Sequence, residues 1–154
     1  ASDVYKRQVY GYQETITANE VDSQRRYALL NELVGINATC LQGAIFNVLA
    51  WLSETYRKAE YLKGSSGRTW RTYALSNGGF YMAPATEVQF RVAVASNYHT
   101  SVMSADAVGI TACLFAFGQL AEITFESRFV ELRDKLYSWA ASHPEWPKIR
   151  GAID

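Results

Sequence analysis

The chain has 154 residues, 49% of them hydrophobic and 14% aromatic, with fifteen basic residues balanced by fifteen acidic ones. That length and apolar content suit one domain with its own core and exclude a chain too polar to collapse. Zero net charge excludes two further classes at the global level: a dense acidic surface that imitates DNA, and the broad basic footprint of a phosphate-tracking binder.

Residues 1–15 read as a variable or disordered leader, and residues 16–154 as a single domain. Ile16 and Thr17 suggest a short strand at most. Asp22 or Ser23 is placed to cap a helix through Arg25–Leu33, with Tyr27, Leu30 and Val34 on one side and Gly35 as its stop. From Ala38 to Tyr61, Leu41, Ile45, Leu49, Leu52 and Tyr56 recur at spacings of three and four, the stripe of a core-facing helix. Ala44, Val48 and Trp51 widen that stripe. Leu33–Ser53 carries no charge and is long enough to span a bilayer. Asn37, Gln42 and Asn47 interrupt it, however, and no basic excess flanks it, so a soluble core helix is expected. No secretory leader pattern is visible, which points to the cytoplasm.

Gly64-Ser65-Ser66-Gly67 reads as a flexible connector. Trp70–Ser76 and Phe80–Ala83 are strand-like and flank Asn77-Gly78-Gly79, which can reverse the chain through positive φ. Pro84 ends the second strand. Val88, Phe90, Val92 and Val94 alternate with polar positions, predicting a third, half-buried strand over Val88–Ala95. Val102–Met103 suggests a short fourth.

Ser104 is a good N-cap, with Asp106 suited to the positive end of the helix it opens. Ala107–Ala121 is uncharged on every face, so the helix over 104–122 should be buried all round. Gly109, Ala112, Ala116 and Gly118 would let neighbours approach closely. A last helix, Phe125–Ser142, has Phe129, Leu132, Leu136 and Trp139 as its buried seam, with Glu131 and Lys135 spaced for an ion pair. Pro144 and Pro147 stop that helix and set an irregular tail. The predicted fold is α+β: a small antiparallel meander of three to four strands packed with about four helices.

Two sequence blocks, Leu75-Ser76-Asn77-Gly78-Gly79-Phe80-Tyr81-Met82-Ala83-Pro84 and Ser104–Ala121, resemble the ArdB/KlcA family of antirestriction proteins. So do His143-Pro144-Glu145 and the closing Ala152-Ile153-Asp154. Together they cover roughly residues 16–154. The resemblance implies inhibition of host type I restriction–modification enzymes, protecting incoming mobile DNA. It makes the type I complex the expected partner, contacted directly or indirectly, as a monomer or homodimer. The charge balance argues that such inhibition acts at the protein level and not by DNA mimicry.

Candidate partner-binding residues are Asn77, Gly78, Gly79, Tyr81, Asp106 and Asp154. Each has a plainer alternative: turn geometry for Asn77-Gly78-Gly79, a core position for Tyr81, a helix start for Asp106 and a solvated end for Asp154. A nucleic-acid module is the competing function, carried by Arg57, Lys58, Lys63, Arg68, Arg71 and Arg91, although charge balance makes DNA binding the weaker reading. Catalysis has little to stand on. His99 and His143 have no motif partner, and Ser76 is not in a nucleophile elbow. Cys40 and Cys113 read as buried free thiols, and two cysteines with two distant histidines make no zinc pattern. No metal or cofactor is expected, and the chain is read as a non-enzyme.

Overall fold

The structure, a computed structural model, describes residues 15–59 and 70–154. Nearly all of the leader, the Gly64–Gly67 connector, Lys63 and Arg68 lie outside those residues. The described elements run β1 (Ala18–Val21), α1 (Ser23–Val34), a 3-10 turn (Gly35–Asn37), α2 (Ala38–Leu52), α3 (Glu54–Arg57), β2 (Trp70–Leu75), β3 (Phe80–Pro84), β4 (Phe90–Val94), β5 (His99–Met103), α4 (Ala105–Thr124), α5 (Ser127–Ala140) and α6 (Trp146–Ile153).

The α+β architecture and its central buried helix are as the sequence predicts. The strands, however, divide between two small sheets. β1, β2 and β3 form one antiparallel sheet in that order, while among the described residues β4 pairs only with β5. The expected meander therefore stops at Pro84. Thr86 N–H turns back to the Pro84 carbonyl at 3.1 Å, and Val88 N–H donates to Thr86 Oγ1 at 3.2 Å. Arg91 N–H then donates to Thr55 Oγ1 on α3 at 3.1 Å instead of to a β3 carbonyl. Val88 falls outside β4 and is exposed.

Other boundaries follow local chemistry; the tail expected to be irregular instead forms α6, because Pro147 stands in its first turn, where proline is tolerated. Asp22 caps α1, its side chain accepting from Arg25 N–H at 2.8 Å, and Gly35 closes it at φ +58°. Leu30 and Val34 are buried as predicted, but Tyr27 points to solvent. The long helix expected over Ala38–Tyr61 breaks at Ser53. This buried residue adopts extended dihedrals and caps α3 by accepting from Tyr56 N–H at 3.3 Å. Cys40 is exposed and only Cys113 is buried, because Cys40 sits off the Leu41–Ile45–Val48–Leu49 stripe. Glu131 and Lys135 form no ion pair. The Lys135 side chain lies instead against Gly78 and Gly79 of the β2–β3 turn.

α4 organises the core. It is apolar on all faces because α2, α5, α6 and β3 surround it. It and the Ser23–Leu52 stretch are long and apolar enough to cross a membrane. For α4 that composition is matched by burial in protein, and the 3-10 turn at Gly35–Asn37 interrupts the other. All five residues of β3 are buried under this packing. At the crossing, a Cβ on Gly109 would lie 2.5 Å from the Met82 carbonyl oxygen and 2.6 Å from Ala83 Cβ. Only glycine allows that approach. Phe125 ends α4 in the left-handed region at φ +58° with its ring almost fully exposed.

Candidate functional site

The N-terminus of α4 carries a ring of polar groups. Ser104 caps the helix, its hydroxyl accepting from Ala107 N–H at 3.1 Å. Two residues on, Asp106 uses both carboxylate oxygens. Oδ1 accepts the Tyr81 hydroxyl at 2.8 Å, and Oδ2 lies 2.9 Å from His143 Nε2. The other nitrogen of that imidazole, Nδ1, accepts Glu145 N–H at 3.0 Å. A nitrogen that accepts cannot carry the proton of a neutral imidazole, so Nε2 is the donor to Asp106. The ring closes where the Glu145 carboxylate accepts both the backbone N–H (3.0 Å) and the hydroxyl of Ser104. Residues 143–145, between α5 and α6, thereby strap the start of α4, which also places negative charge at its positive end.

Tyr81 enters the ring from β3, stacked on Tyr73 across the β2–β3 pair at 4.9 Å between centroids. Its phenol is pushed well above the ordinary tyrosine range, first by burial and then by the Asp106 charge and hydrogen bond. Tyr73 is raised as well, by burial and then by Glu20 and Asp106. A cleft of about 280 Å³ opens beside Asp106, bordered by Arg71, Tyr73, Glu87 and Gln89. Asp106 is partly exposed to it, while the His143 side chain is only 10% exposed.

Chemically this arrangement holds protons in place. Tyr81 keeps its proton, and both His143 nitrogens are occupied. Cys113, on the same helix, is fully buried with its thiol pushed up to about 12 by desolvation, far from the thiolate a nucleophile needs. His99 bonds Ser101 Oγ at 2.9 Å on β5, with its ring against Gly151 of α6. Among the described residues no group of three or more His, Cys, Asp or Glu is gathered as a metal set.

The other candidate residues lie elsewhere. Asn77 donates to the Lys135 carbonyl at 3.1 Å and accepts Gly79 N–H at 3.0 Å. With Gly78 at φ +93°, the β2–β3 turn is thus docked on α5. Asp154 pairs with Arg150 at 3.3 Å and borders a groove of about 540 Å³ between α4, α5 and α6. Tyr81 and Asp106 are therefore joined, while the turn and the chain end are separate features. Sequence reading missed His143 and Glu145 as members of the ring. The sequence offers His143 no motif partner, and its bond to Asp106 spans 37 positions with no local signal. The basic positions among the described residues are also dispersed. Arg57 and Arg91 border one cleft and Arg71 another.

Fold and site together define a charge-balanced α+β domain whose polar ring braces its own central helix. Residues 63–154 match the family model described as antirestriction protein. The chain is 36% identical over 145 residues to antirestriction protein KlcA from Escherichia coli, spanning 92% of this chain and 96% of that protein. It is 32% identical over 110 residues to the uncharacterized protein YafX of Escherichia coli strain K12, spanning 70% and 68%. Its fold matches a solved structure at TM-score 0.77 and 32% identity, covering 94% of this chain and 99% of that one. That work describes KlcA and ArdB proteins with a novel fold and antirestriction activity against type I DNA restriction systems in vivo but not in vitro. The chain belongs to the antirestriction protein family.

Proposed function

We propose that this chain protects incoming DNA by inhibiting host type I restriction–modification enzymes through protein-level interference. Family membership along nearly the whole chain carries the activity. The mode rests on charge: fifteen basic against fifteen acidic residues leave no excess from which to build a phosphate-like acidic face. The polar ring supports a non-enzymatic action, since each of its acid–base groups is engaged within the fold. Activity in cells but not in vitro, as described for the KlcA and ArdB proteins, fits contact with the restriction complex through another cellular component. The site of action is the bacterial cytoplasm, where that complex works.

Plating of unmodified phage on a type I restricting strain, with and without the chain, tests this function. Plating should rise when the chain is expressed, and equal plating in the two strains would reject the assignment. DNA binding by the basic region is the competing reading. It predicts duplex affinity that falls steeply with salt, whereas the proposed mode predicts none at low salt.

A further inference from the structure

A second cleft, of about 540 Å³, lies between the α2–α3 junction and the outer face of the β4–β5 hairpin. Its floor is set by register. Arg91 stands opposite Val102, and Ala93 opposite Thr100, on the face turned away from buried Phe90, Val92 and Val94. Its wall is Trp51, 45% exposed, held edge-on against Phe115 at 5.2 Å. Val102 is exposed to the same degree. Neither side chain gains by this exposure in the free protein, because burying apolar surface is favourable.

The charges at this cleft are unbalanced. Glu54 pairs with Lys58 at 3.0 Å, and that hydrogen bond and charge hold its carboxyl below the usual range, with smaller contributions from the Arg57 and Arg91 charges. Arg57 is steadied by donating to the Ala50 carbonyl. Neither Arg57 nor Arg91 has a carboxylate partner among the described residues. Two guanidinium groups thus stand beside an exposed tryptophan, and arginine and tryptophan are side chains that concentrate binding energy at protein interfaces; Val102 adds apolar surface next to them.

We propose that this cleft docks a segment of a protein partner that carries an apolar anchor flanked by carboxylates. The anchor would cover Trp51 and Val102, and the carboxylates would meet Arg57 and Arg91 in forked pairs. Complementary charge selects this occupant over nucleic acid. Binding a polyphosphate is driven by many cations spread along its path, whereas this cleft is lined by two. The proposal rests on the inhibitor reading and identifies the surface that reading leaves open.

The probe is a synthetic peptide of alternating Glu-Glu and Leu-Leu pairs, titrated into the isotope-labelled full chain and followed by amide shifts. A lysine-for-glutamate peptide, a single-stranded oligonucleotide and a DNA duplex serve as comparators. The acidic peptide should move the amides around Trp51, Arg91 and Val102. It should bind Arg57→Glu/Arg91→Glu about tenfold or more weakly, and the basic peptide should leave those amides unmoved. The same variant, with its spectrum otherwise native, should lose phage protection, while Arg57→Lys/Arg91→Lys should retain part of it. Shifts caused by either nucleic acid and not by the peptide would overturn the proposal. So would peptide binding unchanged by charge reversal, or full protection by the folded charge-reversed chain. If the wild-type chain gave no protection at all, the inhibitor reading would fail, while the titration would still decide whether the cleft takes an acidic segment.

Discussion

The polar ring at the start of α4 and the cleft beside Trp51 each combine charged and aromatic side chains, with opposite outcomes. In the ring, Asp106 is met by Tyr81 and His143, and Glu145 by Ser104. In the cleft, the guanidinium groups of Arg57 and Arg91 lack carboxylate partners among the described residues, and Trp51 and Val102 remain open to water. The ring satisfies its polar groups internally, so changing it should cost stability. The cleft leaves its groups available, so changing it should spare the fold. The contrast teaches that the most polar cluster in a chain is a poor guide to where a partner binds when every member already has a companion.

The largest expected effect concerns the packing that places the ring. Gly109→Ala would drive a methyl into β3 backbone, and overpacking of this kind should cost about 3 kcal/mol in denaturant unfolding. A loss below about 1 kcal/mol would show that α4 and β3 can separate freely.

Asp106→Ala comes next. It strands the buried Tyr81 hydroxyl and the His143 N–H, and should cost about 2 kcal/mol. An unchanged midpoint would mean the ring is ornamental and would erase its contrast with the cleft.

Tyr81→Phe removes one hydrogen bond and should cost about 1 kcal/mol at neutral pH. It also carries a pH signature. The folded phenol holds its proton more tightly than an unfolded one, so its contribution is whole below the ordinary tyrosine value near ~10 and is lost as pH rises toward the higher folded value. Stability of the wild-type chain should therefore fall more steeply above about pH 10 than that of the variant. Parallel alkaline curves would place the titration elsewhere.

The smallest effect lies at the opposite end of α4, where Phe125 occupies a left-handed position with its ring in solvent. Phe125→Gly should stabilise by about 1 kcal/mol, read as a rise in the thermal midpoint. A fall would reveal a contact that holds the exposed ring.

Much of this scaffold was legible in the sequence because it is written locally. The uncharged run Ala107–Ala121 announced a helix buried on all sides. Asp22, Ser104 and Gly35 marked their helix ends through their own backbone preferences, and Asn77-Gly78-Gly79 marked its turn. What escaped depends on distant encounters. Nothing near His143 foretells Asp106, and nothing near Arg91 foretells Thr55, whose hydroxyl takes the N–H that a continuous meander would have used. Ser53 broke a helix that periodicity alone had extended. The candidate site was half legible: Tyr81 and Asp106 were singled out as separate residues, but their bond, and the strap that completes the ring, required the folded chain.

The modification state of phage DNA recovered from protected type I restricting cells tests the central claim most directly. An inhibitor acting on the enzyme's cleavage function should yield surviving progeny that are fully methylated at the type I sites. A decoy that competes with DNA for the enzyme would block recognition for both activities, and unmethylated progeny would contradict protein-level interference.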